Sequence, residues 1–140
     1  MKTTFIFNNT EILVSAKFVE SVHNVWGDRQ WHNKFHVTIR TAKGKTSFTF
    51  YDSTHNYING KVELNESDLK GSLDCFLMDA SCYDSSRTFE DFCSEMGYKE
   101  MSEYNRAKKA FNGCKKHYES AIRLFGENYY EISNEINESY

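Results

Sequence analysis

The chain has 140 residues, of which 39% are hydrophobic and 16% aromatic, and its formal net charge is −3. A chain of this length and hydrophobicity can bury a core within one domain, which excludes a disordered chain. No stretch approaches the roughly 18 consecutive apolar residues of a membrane span, and the N-terminal segment lacks the apolar core of a signal peptide. We therefore expect a cytosolic protein with no membrane partner.

The first half of the chain has the alternating pattern of β-strands. Residues 3–8 and 11–20 read as two strands joined by a turn at Asn8–Asn9, because asparagine tolerates left-handed backbone angles. Two further strands flank the segment TAKGK, in which Gly44 supplies the positive φ of a hairpin turn. In this hairpin the residues predicted to face inward are Phe35, Val37, Ile39, Phe48 and Phe50. The pattern predicts an antiparallel sheet of about four strands.

The second half has the three-and-four spacing of helices. Asn65 followed by Asp68 resembles a helix N-cap, and residues 81–87 read as a linker after this first helix. Thr88 caps a second, short helix that ends at Gly97. A long third helix is capped by Ser102 and ends at Gly126. Its apolar stripe comprises Tyr104, Ala107, Phe111, Cys114, Tyr118, Ala121 and Phe125.

Strands followed by helices predict an α+β domain with three helices packed on one face of the sheet. We expect a single domain over residues 1–140, mainly β over 1–64, helical over 65–126 and closing with an acidic tail over 127–140. This tail is expected to add a half-ordered turn or two. Burial of the aromatic stripe of the long helix against a second copy of the chain, in a homodimer, is an alternative to its burial on the sheet.

Residues that could carry chemistry are scattered. The four cysteines match no zinc spacing and are expected to be reduced thiols, with Cys93 and Cys114 in the core. His32 and His36 form the one suggestive pair of metal ligands, but His36 falls in a strand. No group of residues combines a nucleophile, a base and an orienting side chain. The sequence therefore predicts a non-enzymatic protein without a metal or cofactor.

Charge is unevenly distributed and marks candidate binding surfaces. Residues 1–61 and 102–126 are net positive, whereas 62–101 and 127–140 are net negative. A solvated, internally paired surface accounts for this pattern, and so does a surface for nucleic acid or an acidic protein. The candidate binding residues are Trp26, Trp31, Arg40, Lys43, Lys45, Lys109, Lys116 and Arg123. The acidic alternative, which would imitate a phosphate backbone, comprises Glu90, Asp91 and Glu95.

The segments TFEDFCSEMGY and KAFNGCKKHYESAIRLFG follow the hairpin segment WHNKFHVTIRTAKGKTSFTF. Through these segments, over roughly residues 31–126, the chain resembles a group of small proteins from phages and prophages of Gram-positive bacteria. Small phage proteins of this kind include anti-CRISPRs and other anti-defence factors. The resemblance therefore implies an inhibitor that binds a host defence protein or ribonucleoprotein, most concretely an anti-CRISPR that blocks a CRISPR effector. It carries no recognised active site.

Two other functions stay open at this stage. A nucleic-acid-binding accessory protein of the phage would use the basic residues on phosphates. A sponge for a nucleotide signal would use the tryptophans near residues 26–31 as a stacking wall.

Overall fold

The computed structural model describes residues 1–25, 27–52, 57–58, 61–99 and 101–140. Within these ranges six strands precede four helices, which confirms the predicted α+β class and replaces the predicted three helices with four. The strands are β1 (Lys2–Phe7), β2 (Thr10–His23), β3 (Trp31–Thr41), β4 (Gly44–Asp52), β5 (Tyr57–Ile58) and β6 (Lys61–Val62). The helices are α1 (Glu66–Ser86), α2 (Phe89–Met96), α3 (Tyr104–Phe125) and α4 (Tyr129–Glu138). No helix among the described residues is both long and apolar enough to span a membrane.

The chain divides into two compact units, Met1–Leu73 and Asp74–Tyr140. The predicted organisation of residues 1–140 as a single domain stays a prediction. The first unit contains a four-stranded antiparallel sheet in the order β1-β2-β3-β4, and a separate ribbon of β5 and β6.

Both predicted turns of this sheet are present. Asn8 and Asn9 have φ angles of 49° and 56°, so two asparagines in the left-handed region reverse the chain between β1 and β2. Gly44, with φ of 138°, begins β4 directly after the turn from β3. The positions of both turns are therefore determined by residues that tolerate these backbone angles.

Alternation along the strands separates a buried face from an exposed one, as predicted. Ile12, Val14, Val37 and Ile39 are fully buried, and Val14 pairs with Ile39 across the ladder. The polar residues between them point to the other face, where Lys17, His36 and Arg40 are exposed. A slip of one residue would invert both faces, so burial fixes the register.

Strand β2 is longer than the predicted 11–20 because it contains a β-bulge. The register with β3 shifts between Phe18 and Glu20, which makes Val19 an extra residue in β2. The extra residue interrupts the period of two, so the alternation of residues 11–20 does not run on unbroken, although Val22 is a further apolar position that allows the strand to continue to His23.

Residues 81–87 are not a linker, contrary to the sequence prediction, because α1 continues to Ser86. The hydroxyls of Ser85 and Ser86 donate to the carbonyl of Cys82 at 3.3 and 3.1 Å, bonds that place serine within the last turn of a helix. The helix ends at Arg87, whose φ of 63° is left-handed and whose N–H donates to the carbonyl of Tyr83 at 2.7 Å.

The predicted limits of α2 are confirmed, whereas the predicted cap of α3 is wrong. Thr88 Oγ1 accepts from the N–H of Asp91 at 3.2 Å, and Gly97 ends α2 with a φ of 78°. The N-cap of α3 is Glu103 rather than Ser102. The Glu103 carboxylate accepts from the Lys99 N–H at 3.0 Å, so this side chain ties down the connection before α3 instead of capping it.

The tail 127–140 is a helix rather than a half-ordered turn. Its side chains Tyr129, Ile132 and Ile136 are buried in the second unit, at the spacings of one helical face. Glu127 and Glu138 are exposed, so the acidic composition of the tail marks a solvated face and the helix is stabilised by its apolar one. The same unit buries Phe92 against Phe111, with ring centroids 5.4 Å apart.

Candidate binding surfaces

The β3–β4 turn in the first unit holds three of the predicted basic residues. Arg40 and Lys45 are directly opposite each other on the ladder, and Lys43 is in the turn. All three are exposed. Like charges opposite each other on a ladder oppose folding. The cross-strand contact of Arg40 with Lys45 therefore does not itself stabilise the hairpin, and the turn concentrates three exposed cations.

The other three predicted basic residues, Lys109, Lys116 and Arg123, form what we call the basic stripe on α3. Their seven-residue spacing places them on one side of the helix, about 10.5 Å apart along its axis. All three are exposed. The opposite side of α3 buries Ala107, Phe111 and Ala121. Ser120 is also buried and lies on the side of the stripe, between Lys116 and Arg123, and the buried Leu124 lies between the two sides. The stripe is thus carried by a helix whose apolar side is packed in the second unit.

Two further cations of α3, Arg106 and Lys108, contact aromatic rings of the second unit. Lys108 Nζ is 4.8 Å from the ring centroid of Phe89 and 5.4 Å from that of Phe111. Arg106 pairs with Glu103 at 3.3 Å and has its guanidinium 5.4 Å from the Tyr98 ring. These contacts cover aromatic surface with cationic side chains.

One of the two tryptophans proposed as a stacking wall, Trp31, is exposed. Trp31 has 58% of its surface exposed, and its ring centroid is 5.1 Å from that of His23. Trp26 lies outside the described residues.

The two histidines of the suggested metal pair are not brought together. His32 is buried, and its Nε2 bonds to Asp28 Oδ2 at 2.6 Å, whereas His36 is exposed. Residues four apart in a strand are separated by about 13 Å, too far to share an ion. Among the residues that the structure describes, no group of three histidine, cysteine or acidic side chains could hold a metal.

The acidic alternative is divided between two roles. Glu90 and Asp91 are exposed in the first turn of α2, where carboxylates are favoured by the helix dipole. Glu95 accepts hydrogen bonds from the hydroxyls of Ser85 and Ser86 at 3.1 and 2.9 Å. Glu95 therefore joins α2 to the end of α1, which leaves two exposed carboxylates for the proposed mimicry.

Sequence reasoning missed a polar cluster at the end of α1, which we call the Asp84 cluster. Arg87 Nη2 donates to Asp84 Oδ1 at 2.6 Å and to the hydroxyl of Tyr118 at 2.9 Å. The hydroxyl of Tyr129 donates to Asp84 Oδ2 at 2.8 Å. The three-residue spacing of Asp84 and Arg87 is a visible signal for an ion pair, but the two tyrosines come from α3 and α4.

The Asp84 cluster shifts the titration of its members. Burial raises the pKa of Asp84, but the hydrogen bonds from Tyr129 and Arg87 outweigh it and bring the pKa below its usual value. Burial, and then the bond to Asp84, raise the pKa of Tyr129 well above its usual value. The carboxylate is therefore held charged and the phenol neutral.

The second unit also contains a base with an orienting group, but no activated thiol beside it. His117 Nδ1 bonds to Asp79 Oδ2 at 3.1 Å, the contact that orients the base in hydrolases. All four cysteines are free thiols, with Cys93 buried as predicted and Cys114 half-buried. Burial, with Asp79 and Cys82 nearby, raises the pKa of Cys114 to about 12. This shift opposes the thiolate that nucleophilic catalysis requires.

Comparisons with protein-family models, with curated proteins and with solved structures find no match for this chain. The resemblance to small phage proteins therefore stays a prediction.

Proposed function

We propose that this chain is a phage-encoded inhibitor of a bacterial defence system that acts in the host cytoplasm by binding and without catalysis. The observation that carries the proposal is the basic stripe, whose three exposed cations lie on one side of a packed helix. The resemblance over residues 31–126 supplies the phage context. The most concrete form is an anti-CRISPR whose stripe contacts the acidic or nucleic-acid surface of a CRISPR effector complex.

The basic stripe suits a large anionic partner. Three cations spaced about 10.5 Å apart cover about 21 Å of the helix axis, which exceeds the size of a small ligand. Exposed cations of this kind accelerate association with an oppositely charged surface and fix its register. Because α3 is packed through Phe111 and Leu124, the stripe needs little ordering on binding, which favours affinity.

The test uses a panel of purified CRISPR effector ribonucleoproteins, with binding and target cleavage measured at near-physiological salt. We expect the wild-type chain to bind and inhibit at least one effector, and Lys109→Gln/Lys116→Gln to weaken inhibition at least about tenfold. The control Lys2→Gln/Lys99→Gln removes the same charge from exposed positions outside α3 and should inhibit like the wild type. Equal loss in both variants, or no inhibition across the panel, would overturn the proposal.

The second candidate is a nucleic-acid-binding accessory protein, favoured by the paired cations Arg40 and Lys45 at the hairpin turn. It predicts binding to free DNA or RNA that weakens steeply as salt rises. Neutralising Lys109 and Lys116 would then lower the slope of log affinity against log salt by about one unit for each lysine. Inhibition of an effector without affinity for its free nucleic acid would instead support the defence inhibitor.

A further inference from the structure

Strand β2 has one edge that is paired over only half its length. On this side β1 pairs with residues Thr10–Ser15, and the Ala16 N–H donates to the Met1 carbonyl at 3.1 Å. From Lys17 to His23, β2 continues with β3 on its other side. Within the described part of the chain no strand pairs with this second half of the edge. Backbone groups on such an edge are a template for a further strand.

A groove runs beside the start of this edge. It has a volume of about 500 Å³ and lies between β2, which contributes Ala16, Lys17 and Phe18, and the segment Lys61, Val62 and Glu63. Its lining is mainly apolar, supplied by alanine, phenylalanine and valine side chains. Because Ala16 directs its backbone groups to the β1 side, Phe18, two residues further on, directs its own toward the groove.

The charged groups around the groove are mainly positive. Lys17 and Lys61 are exposed at its rim. Glu63 is the one carboxylate in the lining, and the amino group of Met1 is 3.7 Å from its Oε1. The two lysines therefore make the electrostatic potential at the rim of the groove positive.

We propose that this groove binds an extended, acidic segment of a partner protein, which adds to the sheet as a strand along β2. The backbone of Phe18 would pair with the segment, the apolar lining would take its alternate side chains, and Lys17 and Lys61 would pair with its carboxylates. A second copy of this chain fits less well, since pairing two such edges brings lysine-rich rims together. The bulge at Val19 bends the edge beyond Phe18, so the segment would pair with the part of β2 that precedes the bulge.

The test measures the fluorescence anisotropy of labelled hexapeptides. The first probe alternates glutamate and valine, the second has lysine in place of glutamate, and the third is the acidic peptide with alternate backbone nitrogens methylated. We expect the wild type to bind the first probe, and to bind the third at least about tenfold more weakly because methylation removes the donors that pair with β2. Amide resonances of Lys17, Phe18 and Val19 should shift on titration with the first probe.

The matched variants are Lys17→Glu/Lys61→Glu and the control Lys2→Glu/Lys99→Glu, which make the same charge change at exposed positions. The first should lose at least about tenfold in affinity for the acidic peptide and gain affinity for the lysine peptide, and the control should do neither. Equal binding of the methylated probe, amide shifts confined to other residues, or dimerisation through this edge in sedimentation would overturn the proposal. So would no binding of the acidic peptide at millimolar concentration. The basic stripe takes no part in these measurements, so either proposal can fail alone.

Discussion

The hydroxyl of Tyr129 donates a 2.8 Å hydrogen bond to Oδ2 of Asp84 and so joins the start of α4 to the last turn of α1. The other carboxylate oxygen of Asp84 accepts from Arg87 at 2.6 Å. Tyr129 is buried, with 2% of its surface exposed. The Asp84 carboxylate thus bonds both to Arg87, which ends α1, and to Tyr129, which begins α4.

Removing the Tyr129 hydroxyl should destabilise the fold without disturbing its packing. We expect Tyr129→Phe to lower the free energy of unfolding by about 1–2 kcal/mol, because the bond is lost and its charged acceptor is left half-buried. Urea denaturation followed by circular dichroism measures the change. The control Tyr130→Phe removes a hydroxyl from a neighbouring side chain with 51% exposure and should have little effect. Equal losses in both variants would contradict the assigned bond.

The Asp84 cluster should also make stability depend on pH in the acid range. The folded pKa of Asp84 lies below its unfolded value of about 3.9, so its contribution is complete above that value and is lost as the pH falls through the folded pKa. We therefore expect Asp84→Asn to be less stable than the wild type at pH 7 and the difference to shrink below about pH 4. Denaturation curves across this range measure it. A difference independent of pH would show that the charge of Asp84 is not what stabilises the fold.

Arg87 combines an unfavourable backbone with favourable side-chain contacts, and two substitutions separate them. Its φ of 63° costs a non-glycine residue about 1 kcal/mol. Arg87→Ala keeps this strain and loses the contacts with Asp84 and Tyr118, whereas Arg87→Gly loses the contacts and relieves the strain. We expect the glycine variant to be more stable than the alanine variant by about 1 kcal/mol in chemical denaturation. The reverse order would show that Arg87 does not end α1 in the left-handed conformation.

The helix at the C-terminal end should be part of the core of the second unit. Ile132→Ala and Ile136→Ala each remove a fully buried side chain and should cost about 2–4 kcal/mol in unfolding free energy. Asn134→Ala, at an exposed position on the same helix, should change stability by less than about 0.5 kcal/mol. Calorimetry or denaturant melts distinguish these outcomes. Losses below about 1 kcal/mol at both isoleucines would restore the prediction that 127–140 adds only a half-ordered turn or two.

Local signals were sufficient to predict most of the fold. The alternation around Val37, the asparagine turn at residues 8–9 and the caps Thr88 and Gly97 each depend on neighbouring residues only, and the structure confirms them. The errors arose where local signals conflict. Serine favours loops in isolation, but Ser85 and Ser86 bond to the helix backbone and to Glu95 from α2.

The candidate surfaces were predictable to a lesser degree. The seven-residue spacing of Lys109, Lys116 and Arg123 is enough to place the basic stripe on one side of a helix, and this placement is confirmed. The Asp84 cluster was not predictable, since Tyr118 and Tyr129 are 34 and 45 residues from Asp84 in sequence and meet it through packing. The groove beside β2 depends on how far along β2 the pairing with β1 extends, which a strand pattern does not specify.

The four thiols should differ in reactivity according to exposure and pKa. Burial, with Asp79 and Asp74 nearby, raises the pKa of Cys75 as well, but its side chain is exposed. Cys93 is buried, and the pKa of Cys114 is raised to about 12. Only the thiolate is alkylated, so a pKa raised from 9 to about 12 lowers the reactive fraction of Cys114 about a thousandfold near pH 8. We expect iodoacetamide to label Cys75 first and Cys93 and Cys114 last, as followed by peptide mass spectrometry. Labelling in guanidinium chloride is the control, in which all four should react at similar rates, and rapid labelling of Cys114 in the native protein would contradict its assigned environment.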